Sequence, residues 1–281
     1  MNKKPCLFIE HENKLLLRLV YIESILTSMA SETGSKINRL LKVWSSGTVA
    51  VSLWLEQHGV YQQLAREYEK TAWVQRIGRG AYIKAGDNVE WTGGLYAIQK
   101  QLLLPIHAGG KTALQMQGYA HYLPLGNNTT VTLFGSPGTK LPAWFKQHAW
   151  DVKMRYITTQ LLSRDTVQGM TKKEMGTYSI SLSAPERAML EVLYSVPAEE
   201  TFDEAKLLME GLATLRPRVA QTLLERCASQ KVKRLFMVLA ESCAHPWVKK
   251  LDLSNVDFGS SKRMLVRGGR FDAKYNITVP E

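Results

Sequence analysis

The chain has 281 residues, of which 45% are hydrophobic and 22% charged, an ordinary composition for a globular protein with room for two domains. Its three cysteines are widely spaced and no apolar stretch is long enough to cross a bilayer, which argues against a disulfide framework, a zinc site or a membrane partner and for a reducing, cytoplasmic location. The net charge of +11 is unusual and favours a polyanionic partner such as nucleic acid.

The positive charge is concentrated in two segments. Residues 36–84 contain eight Lys and Arg against three acids, a net charge of +5, and residues 231–274 contain ten against four, a net charge of +6. Residues 101–230 are nearly balanced, with thirteen against eleven. This distribution is expected of a DNA-binding domain and a second basic surface. For the second cluster, cations that serve only solubility are the alternative.

Residues 1–35 are predicted to be an N-terminal extension. Met29 begins a polar sequence that suits a later translation start, so we hypothesise that residues 1–28 are an upstream-start artefact or a loosely attached helix. The first domain then opens with apolar residues at the i, i+3, i+4, i+7 spacing of one helical face. These residues are Ile37, Leu40, Leu41 and Trp44.

The stretch from residue 48 to residue 84 has the most informative pattern in the chain. Thr48 is predicted to cap a helix from Val49 to His58, and a glycine turn then leads into a second helix from Tyr61 to Lys70. Two β-prone runs around Gly78-Arg79-Gly80 predict a small basic hairpin. Helix, turn, helix and hairpin in this order is the pattern of a winged helix, whose second helix enters a DNA major groove.

The outer face of the second helix and the hairpin supply the side chains expected to contact DNA. Gln pairs with adenine and Arg with guanine, each contributing about 1–3 kcal/mol of base discrimination, while cations on a wing suit phosphates or a narrow minor groove. The predicted DNA-binding residues are Tyr61, Gln62, Gln63, Arg66, Lys70, Arg76, Arg79 and Lys84. A winged helix that serves only protein contacts is the alternative interpretation.

The rest of the chain predicts a larger mixed α/β domain, so the expected class is α+β. We place the winged helix at residues 36–103 and the C-terminal domain at residues 104–281. Ser183-Ala-Pro-Glu186 and Thr201-Phe-Asp-Glu204 both have the spacing of a capping box and predict helix starts. A last long helix is predicted from Lys231 to Ala244.

Gly109-Gly110-Lys111-Thr112 is similar to the end of a phosphate-binding P-loop. That motif needs a glycine four residues earlier, and this chain has Pro105 there, so a turn into a helix with free amides for an anion explains the glycines better. An enzyme that processes nucleotides or nucleic acid through His107, Lys111 and Thr112 is the alternative function. Otherwise no catalytic residue, metal site or cofactor is predicted.

Short sequences spread over residues 35–280 match one known family. The most specific of them is Pro105-Ile-His-Ala-Gly-Gly-Lys-Thr-Ala-Leu114. The others include Lys36-Ile-Asn-Arg-Leu-Leu41, Arg79-Gly-Ala-Tyr82, Trp91-Thr-Gly-Gly-Leu95, Leu141-Pro-Ala-Trp-Phe145, Ser183-Ala-Pro-Glu-Arg-Ala188, Lys233-Arg-Leu-Phe236 and Gly268-Gly269. On these residues the chain resembles the AbiEi family, the antitoxins and transcriptional regulators of type IV (AbiE) toxin–antitoxin systems, which act in abortive phage infection.

The resemblance implies an N-terminal winged helix that represses its own operon at inverted repeats in the promoter, and it leaves open whether two copies pair on DNA. It also implies a C-terminal domain that neutralises a nucleotidyltransferase-like toxin without a stable complex. Charge then points to the basic C-terminal cluster as the antitoxic surface. Its predicted residues are Lys231, Lys233, Arg234, Arg267 and Arg270. A plain adaptor with a winged fold and no affinity for promoter DNA is a third interpretation.

Overall fold

The computed structural model describes residues 36–119, 129–163 and 166–280. The N-terminal extension, and with it the hypothesis about residues 1–28, lies outside these residues. The described chain forms a winged helix-turn-helix unit and a larger mixed α/β unit, which confirms the predicted α+β class. The domain division between residues 103 and 104 stays a prediction.

The winged unit contains three helices and a small antiparallel sheet. Its elements are α1 at residues 36–43, β1 (Ala50–Val51), α2 (Ser52–Gln57), α3 (Gln62–Lys70), β2 (Val74–Gly78) and β3 (Ala81–Lys84). The strand order is β1-β3-β2, so β3 is the central strand. The second helix and the hairpin therefore lie where the sequence predicted them.

The helix predicted from Val49 to His58 begins later than expected. Ala50 and Val51 pair with Tyr82 and Ala81, and this pairing holds them in a strand, so that α2 starts only at Ser52. The hydroxyl of Thr48 donates to the carbonyl of Ser45, and α2 has no side-chain cap. The prediction that Thr48 caps this helix is therefore wrong.

The central strand β3 is buried on both faces. Tyr82 packs into the core of the winged unit, whereas its neighbours Ala81 and Ile83 pack into the core of the C-terminal unit. Side chains alternate between the two faces of a strand, so one strand serves both cores. The core of the winged unit consists of Ile37, Leu40, Trp44, Ala50, Leu55, Val60, Ala65, Tyr68, Val74 and Tyr82.

Helix α4 (Trp91–Lys100) connects the two units. Just after it, the amide of Gln101 accepts from the N–H of Val51 and donates to the carbonyl of Val49, each at 2.8 Å. Gln99 donates to the carbonyls of Ile106 and Ser181 on the other side. These paired amide contacts fix the helix to the winged unit and to the large sheet at the same time.

The C-terminal unit is built on a five-stranded mixed sheet of order β6-β5-β4-β8-β7. Its strands are β4 (Ile106–Ala108), β5 (Thr130–Gly135), β6 (Lys153–Thr158), β7 (Met170–Glu174) and β8 (Ser179–Ser183). Its helices are α5 (Gly110–Met116), α6 (Ala143–Gln147), α7 (Pro185–Ser195), α8 (Phe202–Glu210), α9 (Pro217–Arg226) and α10 (Gln230–Ser242). No helix among the described residues is long and apolar enough to span a bilayer.

The two predicted capping boxes have different outcomes. Thr201 caps α8 and exchanges hydrogen bonds with Glu204, so this box is confirmed. The other is wrong, because Ala184 is the N-cap residue of α7 and makes no side-chain cap. The hydroxyl of Ser183 instead donates to a buried glutamate of α7 eight residues further on, Glu191.

Helix α10 lies at the centre of the C-terminal unit, with every residue from Val232 to Ala240 buried. After it come two 3₁₀ turns, Val248–Lys250 and Leu253–Asn255. The chain ends in a three-stranded sheet of order β10-β11-β9, with strands β9 (Arg263–Met264), β10 (Arg270–Asp272) and β11 (Ile277–Val279). Its middle strand packs on the core through Ile277 and Val279.

Candidate nucleic-acid interface

Helix α3 has one buried and one exposed face. Ala65 and Tyr68 pack into the core of the winged unit. The five residues predicted to read DNA are all exposed: Tyr61, Gln62, Gln63, Arg66 and Lys70. Tyr61 is the residue before the first helical turn and is 67% exposed. The predicted reading face is therefore accessible along the length of the helix.

One of the two cations on this face already has a partner. Lys70 Nζ lies 2.8 Å from Glu67 Oε1, and both side chains are exposed. An exposed ion pair of this kind contributes only about 0–1 kcal/mol, so it opens readily when a phosphate approaches. Arg66 is the cation on α3 that faces solvent nearer the middle of the helix.

The tip of the hairpin is Gly78-Arg79-Gly80. Gly80 has φ +74°, a conformation that favours glycine, and it allows the tight turn between β2 and β3. Arg79 is exposed at the tip. Arg76 is exposed too, and its Nε donates to the carbonyl of Gly78 at 3.1 Å, which holds the guanidinium beside the tip. Two arginines are thus held close to the turn.

The wing is fixed to the rest of the molecule. A Cβ on Gly78 would lie 2.7 Å from the Cβ of Trp144, so glycine is what lets β2 pack this closely on α6. On the other side, the carbonyl of Gly80 accepts from the N–H of Ser52 at 2.9 Å, which ties the tip to the start of α2. A wing held in place before binding loses less conformational entropy on binding DNA.

Lys84 lies at the opposite end of the hairpin. It pairs with Val74, three strand residues from the turn and so about 10 Å from the tip. Its Nζ donates to the carbonyl of Leu41 at 3.3 Å, one of the terminal carbonyls that α1 leaves unpaired. Lys84 therefore caps α1, and we do not retain it as a phosphate contact.

A basic stripe on α1 was missed by the sequence reasoning. Lys36, Arg39 and Lys42 are exposed, whereas Ile37 and Leu40 on the same helix are buried. The spacing of three residues places the cations along one side of the helix, and this regularity was readable in the sequence. The stripe adds three positive charges to the surface of the winged unit.

The predicted antitoxic surface does not form one exposed basic face. Lys233 is 4% exposed and Arg234 is 0% exposed, so their assignment to this surface is wrong. Both belong to the part of α10 that is buried on all sides. A helix that is surrounded by protein buries its charged side chains unless they are long enough to reach the surface. The side chain of Arg234 does not reach the surface.

The other three residues of that prediction differ among themselves. Lys231 Nζ donates to the carbonyls of Tyr194, in the last turn of α7, and Val196, the residue after it, and so caps the end of this helix. Burial lowers the pKa of this ammonium, and the positive charge of Arg263 lowers it further. Arg267 and Arg270 alone remain on the exposed surface.

Strand β4 and the start of α5 contain the three residues of the enzyme alternative, and each has a partner within the protein. His107 Nε2 lies 2.9 Å from Glu191 Oε1. Lys111 Nζ donates to Glu204 Oε1 at 2.9 Å, and the hydroxyl of Thr112 accepts from the N–H of Thr132 at 2.8 Å. A cavity of about 300 Å³ adjoins His107 and Glu191.

The anion expected at the α5 amides is the carboxylate of Glu191. Glu191 Oε2 accepts from the N–H of Gly110 at 2.9 Å and from the hydroxyl of Ser183 at 2.8 Å. Oε1 of the same carboxylate accepts from Arg187 and contacts His107. Burial acts to raise the pKa of the Glu191 carboxyl, but the charge and hydrogen bond of His107, the charge of Arg187 and the amide of Gly110 hold the pKa below its usual value.

Comparison with known proteins supports the family resemblance over nearly the whole chain. A model described as the N-terminal domain of the AbiEi antitoxin, a transcriptional regulator, matches residues 33–125. A second, described as a transcriptional regulator and AbiEi antitoxin of a type IV toxin–antitoxin system, matches residues 128–280. No match was found among curated proteins.

Among solved structures, the crystal structure of the RV2827C protein from Mycobacterium tuberculosis is similar, with a TM-score of 0.52 and 13% sequence identity. The similarity covers 82% of this chain and 85% of that chain. At this identity it shows a shared fold and nothing about function.

Proposed function

The chain belongs to the AbiEi family of antitoxins and transcriptional regulators of type IV toxin–antitoxin systems, which is not an enzyme family, and from this premise we propose that it represses its own operon by binding promoter DNA through α3 and the wing. The observation that supports this most is the exposure of Arg66, Arg76 and Arg79 within the basic segment of residues 36–84.

In this proposal the exposed face of α3 lies in the major groove. Arg66 and the two glutamines of the first turn, Gln62 and Gln63, contact base edges, because these side chains form the bidentate pairs that distinguish guanine and adenine. Arg76 and Arg79 contact phosphates or the adjacent minor groove, which fixes the register of the protein on the duplex. Two copies occupy the two halves of an inverted repeat in the promoter.

Two alanine substitutions separate these roles. Arg66→Ala removes a base contact, so we expect promoter affinity to fall by about 1–3 kcal/mol, roughly 5- to 150-fold, and discrimination at one base position to relax. Arg79→Ala removes a phosphate contact, so we expect affinity to fall for all duplex sequences and the slope of log K against log salt to shrink by about 0.9. Fluorescence titrations of promoter and scrambled duplexes at several salt concentrations measure both effects.

Arg218→Ala is the matched control, since Arg218 is an exposed arginine on α9 of the C-terminal unit. It removes the same charge from the same protein, so an equal loss of affinity in this variant would show that only net charge matters. An unchanged affinity and salt slope in Arg79→Ala would remove the wing from the interface.

We further propose that the C-terminal unit neutralises a nucleotidyltransferase-like toxin encoded with it, without a stable complex, and that Arg267 and Arg270 belong to the surface responsible. Both arginines are exposed and lie on or beside β10. Co-expression of the toxin with an Arg267→Glu/Arg270→Glu variant is expected to abolish protection of cell growth, whereas Arg218→Glu is expected to preserve it. Full protection by the double variant would exclude this surface.

A further inference from the structure

A cavity of about 300 Å³ lies beyond the ends of two parallel strands of the five-stranded sheet. Gly135, the last residue of β5, and Thr159, the residue after β6, both line it. Ligands of open α/β sheets bind outside the carboxyl ends of parallel strands, which is where this cavity lies. Small-molecule sites have volumes of roughly 300–1,000 Å³, so the cavity suits a small molecule rather than a polymer.

The buried end of the cavity holds two polar side chains that converge on one carboxylate oxygen. His107 Nε2 lies 2.9 Å from Glu191 Oε1, and Arg187 Nε donates to the same oxygen at 3.1 Å. All three residues line the cavity, and His107 is only 8% exposed. The cavity therefore ends at polar groups whose positions are fixed by the protein.

Two nitrogen atoms of this cluster are left for a ligand. Among the described residues, Nδ1 of His107 and Nη2 of Arg187 have no hydrogen-bond partner, since His107 bonds through Nε2 and Arg187 through Nε and Nη1. Every fully buried side-chain nitrogen or oxygen in the same part of the chain has a partner, so these two nitrogens are accessible. Both side chains are largely buried and line the cavity, so the cavity is what the nitrogens reach.

The two nitrogens offer different hydrogen bonds. The carboxylate of Glu191 accepts from four groups and keeps the imidazole proton on Nε2, so Nδ1 of the neutral ring is an acceptor. Nη2 of Arg187 is a donor. A ligand that satisfies both presents a donor and an acceptor side by side, as the Watson–Crick edge of every nucleobase does.

The charge of the cluster favours a neutral ligand. Arg187 and Glu191 compensate each other, and a neutral imidazole adds no charge, so a carboxylate or phosphate would lie beside Glu191 without a counter-charge. The walls of the cavity are apolar and suit the faces of a flat ring, whereas a ligand with no polar edge would leave both nitrogens unpaired. The wall residues are Leu104, Phe134, Leu161, Leu162 and Met170.

The mouth of the cavity is marked by exposed apolar side chains. Val167 lines the cavity and is 76% exposed, and Leu103, which is 79% exposed, precedes the lining residue Leu104. These are the two most exposed large hydrophobic side chains in the described part of the chain. Exposed apolar surface around a concave site is typical of a ligand-binding groove.

From these contacts we propose that the cavity binds a free nucleobase or nucleoside. The edge of the base accepts from Nη2 of Arg187 and donates to Nδ1 of His107, the ring lies between the apolar walls, and the sugar of a nucleoside lies at the mouth beside Val167. Binding makes and breaks no covalent bond, so the proposal adds a ligand and not an enzymatic activity. The site is separate from the DNA-binding face of α3 and does not depend on promoter binding.

The test titrates adenosine, guanosine, cytidine and uridine separately into the full-length protein in a calorimeter. We expect at least one of them to bind with a dissociation constant of about 10 µM to 1 mM, the range for a ligand of this size. Arg187→Lys keeps a positive charge beside Glu191 but removes Nη2, so it is expected to weaken binding about tenfold. The melting temperature of this variant is measured first.

A measurement on the unmodified protein gives the position of the ligand. The methyl signals of Val167 are expected to shift in NMR spectra as the nucleoside is added, whereas those of Leu207, an exposed leucine of α8 outside the cavity, are expected to stay in place. Val167→Ala and Leu207→Ala assign the two sets of signals. This readout needs no substitution in the polar cluster, so it tests the site even if Arg187→Lys does not fold.

The proposal is overturned if none of the four nucleosides binds at about 2 mM, or if one binds without shifting the Val167 signals. It is also overturned if Arg187→Lys folds and binds as tightly as the parent. Benzoate, a flat ring with a carboxylate, is the control for charge and is expected to bind at least about tenfold more weakly than the tightest nucleoside. If benzoate binds as tightly as that nucleoside, the cavity is an anion site and the proposal fails.

Discussion

Replacing Arg234 with methionine is expected to destabilise the protein by about 3–5 kcal/mol, roughly 1 kcal/mol for each of the four hydrogen bonds that the guanidinium donates. Its guanidinium donates to four carbonyls at 2.7–2.9 Å, those of Phe258, Gly259, Ser261 and Asn276. Methionine fills a similar volume but has no hydrogen-bond donor, so the four carbonyls lose the hydrogen bonds that Arg234 donates to them. Urea unfolding of the variant and the parent measures the difference in free energy.

The loss is expected to be largest in the C-terminal sheet. Three of the four carbonyls belong to the loop before β9, and the fourth, that of Asn276, directly precedes β11. Arg234 therefore ties this sheet to α10, and amide exchange in β9 and β11 should accelerate more than exchange in β4 or β5. Arg218→Met, on an exposed arginine of the neighbouring helix, is the control and should change stability by less than about 0.5 kcal/mol. A loss below about 1 kcal/mol in Arg234→Met would show that the four hydrogen bonds are not needed.

Arg234 also shows where the sequence was misleading. Net charge was treated as surface charge, although the unbroken apolar run from Leu235 to Ala240 already indicated a helix surrounded by protein. In such a helix a neighbouring arginine needs buried acceptors rather than solvent. The acceptors are backbone carbonyls from residues 258–276, and no local pattern could place them beside α10.

The winged unit was more predictable because its signals are local. The apolar face of α3 and the glycines at the tip of the hairpin depend on neighbouring residues, and both lie where they were expected. Strand β1 was missed because Ala50 and Val51 become a strand only by pairing with residues thirty positions later. Lys84 was assigned to DNA for the same reason, since its contact with Leu41 is a tertiary one.

Replacing Glu191 with glutamine is expected to cost about 3–5 kcal/mol as well, because it leaves the largely buried guanidinium of Arg187 without its counter-charge. The carboxylate accepts from four groups, Gly110, Ser183, Arg187 and His107. The amide of glutamine has one acceptor oxygen, and its NH₂ group would face two of these donors. Thermal or urea unfolding measures the loss, and Glu210→Gln, at an exposed glutamate at the end of α8, is the matched control.

The pH dependence of the stability difference between the parent and Glu191→Gln shows whether the charge of the carboxylate causes it. The folded-state pKa of Glu191 is held below its ordinary value, so the ionised carboxylate contributes stability above the unfolded pKa of about 4.3, and this contribution is lost as the pH falls through the folded pKa. The gap between the parent and Glu191→Gln should therefore be widest near pH 7 and narrow below about pH 4. A gap that is constant from pH 7 to pH 3 would mean that shape, not charge, is what the site requires.

The same variant distinguishes a structural network from a functional one. Glu191 joins β4, the start of α5, the end of β8 and α7 at one carboxylate, and this is the position where the sequence suggested a bound anion. If the carboxylate only holds these elements together, Glu191→Gln should bind promoter duplex with unchanged affinity at temperatures where it remains folded. If instead inorganic phosphate stabilises the Glu191→Gln variant more than the parent, phosphate binds where the carboxylate was removed. The α5 amides would then be an anion site that Glu191 normally blocks. A phosphate titration of the melting temperature of both proteins separates the two outcomes.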